Sequence, residues 1–481
     1  MDVACYALAS APGTLRLWVG ARDATSAPAV DGWRVDGAPT AAVTAIRPMQ
    51  SVRQGALLRG DPPRAFSGLY ELAGIAGRGP FIVEATVGGQ PVRASVRALP
   101  AALALDGEPL TVVLVSCYHH STDGGLYGEA LPRIARGINA PDLCVFMGDQ
   151  VYLDLPTLMD FQDDPAWLGE RFEQDYARNW FTGAFARGLG VAPAVFVPDD
   201  HEYWNNFPQP SPFIENTWTD TGRDHWREAA RALYRGFQGE PGEPLVLDVE
   251  PLSFLLLDSR ADRDAALTRL LGPDASQALG DWAARVAGDA RFAAGVLVTG
   301  QSLLQDAVGG VKGSIGDYAL ADHEPAYREL LQALTRVSEA GKPVLLLTGD
   351  VHWGRVSSVR DRQRDAVVFH EVIASPSSLV ATIGADQVKD VIGAVKDWFG
   401  SRDPWPRHGG AQAPPSHLPH SGQRFRTAAG WRGHRGNQVA VLRMTRRAAG
   451  IDVEYTLHPL VAGLAGDVPP TSGRLELRRT A

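Results

Sequence analysis

Apolar residues along the chain follow two different patterns. Up to about residue 105, runs such as LRLWVG, FIVEATVGG and PVRASVRAL alternate only in part and are broken by Gly, Pro and Asp. Short, partly alternating runs between turn residues predict antiparallel strands of a β-sandwich. From Thr111 the runs become nearly unbroken: TVVLVSC, LCVFMGD, AVFVPDD, FLLLDSR, GVLVTGQ and VLLLTGD. A strand apolar on both sides has to be covered on both sides. Candidate helices lie between some of these runs, as in FEQDYARNWF, RDHWREAARALYRGF, LGDWAARVAGDA and PAYRELLQALTRVSEA. The fold class expected is therefore α/β. A layered core over residues 106–481 follows an N-terminal antiparallel β-sandwich domain over residues 1–105.

Residues 400–436 interrupt the pattern. They are rich in Gly, Pro, His and Arg and carry no periodicity, which predicts an irregular loop, a candidate lid over a site. A last pair of strands, QVAVLRM and DVEYTLHPL, is expected beyond it.

Composition changes this picture in three places. With 481 residues, 45% hydrophobic and 21% charged, the chain can bury a large core. A net charge of -9 disfavours nucleic-acid binding other than as a substrate. The cysteines Cys5, Cys117 and Cys144 are too few and uneven for a disulfide framework. The opening MDVACYALASAPGTLRLWVG lacks a basic stretch leading into a long apolar run. No leader or membrane span is read there, so a cytoplasmic location is expected, with a removed secretory leader left open.

The buried runs all end on reactive side chains. VSCYHH brings Cys117 and His119; MGDQVYLD brings Asp149, Tyr152 and Asp154. VPDDHE brings Asp199, Asp200, His201 and Glu202, and TGDVHWG brings Asp350 and His352. Ligands of α/β sheets bind beyond the carboxyl ends of the strands, and thiolate, imidazole, carboxylate and phenolate are all metal donors. Singly, each has a plainer explanation: Cys117 as a small buried apolar residue, Asp149 as a turn residue, the histidines as structural hydrogen-bonders. Gathered in a dry cleft, however, these carboxylates would repel until some took up protons, and cations remove that repulsion. Two ions roughly 3.5–4 Å apart would also explain why the donors come from several strands.

The order Cys-x-His, Gly-Asp-x-x-Tyr, Asp-Asp-His-Glu, Gly-Asp-x-His resembles the calcineurin-like metallophosphoesterases. Within them it is similar to the PhoD-type alkaline phosphatases (alkaline phosphatase D), over roughly residues 111–380. The resemblance implies an αββα sandwich and a centre of Fe3+ and Ca2+; the donor types alone leave Zn2+, Mn2+ or Mg2+ open. It implies that Cys117 and Tyr152 ligate the first metal, that Asp149 bridges both and that Asp200 binds the second. Asp350 and His352 would take the last ligand positions, one per metal. His119 stands where the wider superfamily has a histidine ligand and is carried as a metal candidate. Gln301, in VTGQS, replaces that superfamily's lone histidine.

The function implied is hydrolysis of phosphomono- and/or phosphodiesters by a metal-activated hydroxide, on a small-molecule or lipid-type substrate. His201 would donate the proton, with Asp199 and Glu202 orienting its ring. Arg260, Asn205 and Asn206 are the candidates for holding substrate. A nuclease or phospholipase D-like phosphodiesterase on the same centre is the alternative, and a non-catalytic metal-binding protein a more distant one. Neither G-x-S-x-G nor a P-loop occurs, against acyl-transfer and nucleotide-hydrolysing chemistry.

Overall fold

The computed structural model describes residues 1–481 apart from 41, 60–61, 139, 157–159, 311–312, 314–315, 380–410, 435, 461–469 and 481. Strand Leu110–Val115 shows how its centre is built. Leu110, Val112 and Leu114 enter one apolar cluster, Val113 and Val115 another. Strand Leu143–Met147 divides in the same way, with Leu143, Val145 and Met147 on one side and Cys144 and Phe146 on the other. Successive side chains leave a strand on opposite faces, so an unbroken apolar run needs a covering layer on each.

The facing sheet repeats the arrangement. Phe254 and Leu256, Val296 and Val298, Leu345 and Leu347 enter the same inner cluster, while Leu255, Leu297 and Leu346 enter a third. The inner cluster is thus the layer between two sheets. Helices Pro165–Phe181 and Asp220–Phe237 cover the outer face of the first, through Phe172, Trp180, Trp226 and Phe237. Helices Pro273–Gly288 and Glu324–Glu339 cover the second, through Trp282, Tyr327 and Leu334. This is the αββα order expected from the sequence. A fully buried Leu or Val stabilises by about 1.5–3 kcal/mol relative to exposure, so these layers can hold a costly polar site at their edge. Helix Pro165–Phe181 starts where it does because Asp164 accepts from the Ala166 and Trp167 amides at 2.7 and 3.0 Å and proline occupies the first turn.

Among the described residues the first sheet has ten strands. Its middle is Gln438–Arg447, Leu110–Val115, Leu143–Met147, Ala194–Val197, and the last three run parallel. The strands Asp2–Leu8, Thr14–Arg22, Ala65–Ala73 and Val43–Ser51 continue this sheet, joined where Leu8 pairs with Ala194. They pack on a separate four-stranded sheet through Leu17, Val19, Trp33, Leu72 and Val83. In the second sheet, Val344–Thr348 lies between Ala294–Thr299 and Ala366–Ile373, parallel to both. Among the described residues, no helix is long and apolar enough to cross a membrane.

The irregular segment expected at 400–436 needs correction where it can be described; residues 400–410 and 435 lie outside the described residues. Phe425–Thr427 and Arg432–His434 are strands, both paired with Gly354–Asp361. Their stability comes from backbone pairing to an existing sheet edge, which composition does not register.

Candidate metal centre

Three parallel strands of the first sheet end together, at Ser116, Gly148 and Pro198, and one strand of the second ends at Gly349. The two sheets close on each other here. A Cβ on Gly349 would lie 2.1 Å from the Met147 carbonyl oxygen, so only glycine allows the approach. Gly148, at φ +84°, meets Asp199 in the same way.

The donors converge at this edge. Among the described residues, Cys117, Asp149 and His352 have ligand atoms within 4.8 Å of one another; so do Asp149, Asp200 and His201, and so do Asp199, Asp200 and Asp317. Asp149 belongs to two of these groups and Asp200 to two. Tyr152 places its hydroxyl 3.5 Å from Asp149 Oδ2. Asp350 lies alongside, its Oδ2 accepting from Gln301 Nε2 at 3.3 Å and its main-chain oxygen 3.5 Å from Cys117 Sγ. Cys117, Asp149, Asn206, Asp350 and His352 all take positive φ, between 53° and 70°. Such a conformation costs a non-glycine residue about 1–3 kcal/mol and persists only where surrounding structure imposes it.

The groups around His201 differ from those expected. Its Nδ1 lies 2.7 Å from Asp154 Oδ1. Glu202 instead accepts from the amides of Asp149, Asp199 and Gln150 at 2.9, 2.9 and 2.6 Å. Asp199 is fully buried against Arg260 Nε. The reason is local. Asp200–Glu202 form a 3-10 turn, where successive side chains project about 120° apart, so neighbours of His201 cannot reach its ring. Glu202 and Asp199 are therefore better described as holding the loops than as partners of the histidine.

Two other expectations are corrected. Arg260 does not face open space: it is wholly buried, forked onto Asp317, bonded to Asp199 and donating to the Phe207 carbonyl at 3.1 Å. A strand-end arginine reads the same in sequence whether it awaits an anion or already has one. His119 joins none of the three donor groups; its Nδ1 engages Thr122 Oγ1 at 3.0 Å. The strand has stopped at Val115 and Cys117 has turned to φ 53°, so the two-residue alternation that would align His119 with Cys117 is lost. Asn206 donates its amide to Asp200 Oδ2 at 2.7 Å, and Asn205 its amide to Asp154 Oδ2 at 2.8 Å. Gln301 offers its Nε2 to Asp317, Tyr318 and Asp350, while its Oε1 accepts from Arg263 at 2.7 Å. It thereby donates to the acids of the site and spends its oxygen elsewhere.

Asp317 and the Asp154–His201 pair are the parts that sequence reasoning missed. Asp317 follows no apolar strand, and the only signal for Asp154 was its place in MGDQVYLD.

The electrostatics test whether cations fit. Burial pushes Asp149 and Asp350 well above the usual carboxylate range, and neighbouring acids push further. Asp200 rises to about 6, chiefly by burial. Burial, with Asp149 and Asp350, likewise holds the Cys117 thiol well up. Burial alone would discharge His201, but Asp154, Asp200 and Asp149 hold it well above 6.5. Left to itself this cluster keeps protons that a thiolate and a carboxylate cage would shed. Cations at the two Asp149-sharing groups would reverse that balance, and the sulfur, nitrogen and oxygen donors would fit them. Cys117 and His352 share one group with Asp149, and Asp200 and His201 share the other.

Comparison with known proteins adds the fold. No protein-family model matches the sequence, and no curated protein does. Among solved structures, one titled "Structure of PhoD" superposes with a TM-score of 0.58 at 15% identity, covering 98% of this chain and 88% of that one. Another, "GAP50 the anchor in the inner membrane complex of Plasmodium", gives a TM-score of 0.38 at 11% identity over 78% of this chain and 90% of that one. The sequence pattern and the layered architecture thus meet in one statement: this chain has the fold of the PhoD structure.

Proposed function

We propose that the chain is a metal-dependent phosphoesterase that hydrolyses phosphomono- and/or phosphodiesters, with iron and calcium as the ions that the family resemblance implies. The observation that carries this reading is the sharing of Asp149 between Cys117 and His352 on one side and Asp200 and His201 on the other. The likeness to the PhoD structure supports the same chemistry. Bound metals supply an attacking hydroxide at neutral pH and a counter-charge for the phosphoryl oxygens. The protein's own part is positioning and proton transfer. Asp154 holds the His201 ring by Nδ1, which leaves Nε2 as the nitrogen to deliver a proton to the departing alkoxide. Asp154, which is outside the three donor groups, raises the proton affinity of that imidazole, as suits an acid. Glu202 ties three loop amides together and so fixes Asp149 against Asp199.

A chromogenic phosphomonoester and the corresponding diester, each assayed with and without chelator, test the proposal. Chelation and His201→Ala should each lower turnover by at least about 100-fold. Turnover indifferent to both would remove the phosphoesterase reading.

A further inference from the structure

A cleft of ≈ 540 Å³ opens beside the candidate centre, between the Tyr118–Thr122 loop and helix Pro165–Phe181. It shares a wall with the centre. Tyr152 lines it, and the same residue has its hydroxyl on Asp149 and its ring 4.3 Å from that of His201. Its volume is that of a site for an organic ligand and exceeds what a phosphoryl group needs. Val151, Leu155 and Pro156 make part of the lining apolar.

The charges on its rim do not cancel. Arg171 and Arg178 share one carboxylate, Asp175. Arg171 is held twice, by Asp175 Oδ2 at 2.5 Å and by the Leu155 carbonyl at 3.0 Å. Among the described residues the Arg178 guanidinium makes one contact, at 3.2 Å to Asp175 Oδ1, and its side chain keeps 46% of its exposure. Two cations against one anion leave one net positive charge on the cleft. Its reach across the cleft is seen at His120, whose proton affinity falls with burial and with Arg178 opposite.

We propose that this cleft receives the alcohol half of the substrate and that Arg178 recognises an anionic oxygen group carried on it. The preferred substrates are then phosphate esters of compact organic alcohols bearing a second acid, a carboxylate or a phosphate. The proposal rests on the phosphoesterase reading above. Arginine suits the task because its planar fork matches either group in a bidentate pair.

Three non-hydrolysable probes test it on the metal-loaded protein by calorimetry: benzylphosphonate, its 4-carboxy derivative and its 4-phosphonomethyl derivative. At least one anionic probe should bind about 10-fold or more tighter than benzylphosphonate, and the tighter of the two names the acid group. Arg178→Gln, a change at a half-exposed side chain, should bring the ratio close to one. Equal affinities in the native protein, a ratio that survives Arg178→Gln, or no binding of any probe would overturn the proposal. An intact, Arg178-dependent preference without hydrolysis of any ester would sink the phosphoesterase reading and leave the cleft assignment standing.

Discussion

Removing the cations and then raising the pH loads the candidate centre most heavily, and the structure gives the size of the effect. Asp200 titrates near 3.8 when free and is pushed to about 6 in the fold, by burial first, with Asp317 and Asp199 adding to it. Between those values the folded chain keeps a proton that the unfolded chain has released. Folding stability therefore falls as pH rises through that window. A shift of about two units corresponds to about 3 kcal/mol. Glu202, moved by burial from 4.5 to about 7 against three opposing amides, contributes in the same direction. The two groups share neighbours, so their effects do not add in full. His201, held above its usual 6.5, extends the same trend to higher pH. Domains are typically stable by only about 5–15 kcal/mol, so a loss of about 3 kcal/mol is a large share. Urea unfolding of chelator-treated protein, followed by fluorescence of its 12 tryptophans, reads it out. The midpoint should drop steadily from about pH 4 to about pH 7, drop less steeply in Asp200→Asn, and recover when metal is returned. A midpoint that rises or stays level over that range without metal would refute the electrostatic reasoning.

Other changes probe single contacts. Asp154→Asn should lower kcat by about 100-fold, and combining it with His201→Ala should cost no more than His201→Ala alone. Fully additive losses would mean that Asp154 does not act through the histidine. Arg260→Ala leaves Asp199 buried, and Asp317 partly buried, without their cation, and should cost about 3–5 kcal/mol of stability in urea. A loss below about 1 kcal/mol would show that these acids find other partners.

Much of this was legible in the chain. TVVLVSC, LCVFMGD and VLLLTGD could only be strands covered on both faces. A run that is apolar throughout must also end where polar residues begin, which fixed Cys117, Asp149 and His352 at strand ends. What escaped has a common cause. The order of residues says which side chains are near a strand end, but not how the chain turns after it. The 3-10 turn at Asp200–Glu202 sent Glu202 to backbone amides and left His201 to Asp154, forty-seven residues earlier. The turn at Cys117 removed His119 from the donor groups. Arg260 was placed correctly at the end of a buried run, but its partner Asp317 comes from a segment without periodicity. Pairing of Leu8 with Ala194, which carries the first strands into the central sheet, joins positions too far apart for any local pattern to announce.

The most direct test is the metal content of the natively purified protein by elemental analysis, alongside Asp149→Ala. The expected result is about two ions per chain, with the content of both falling in the variant, because two of the three donor groups share Asp149. A native protein that carries no metal yet hydrolyses phosphate esters, or an Asp149→Ala protein with its full complement of ions, would contradict the shared centre.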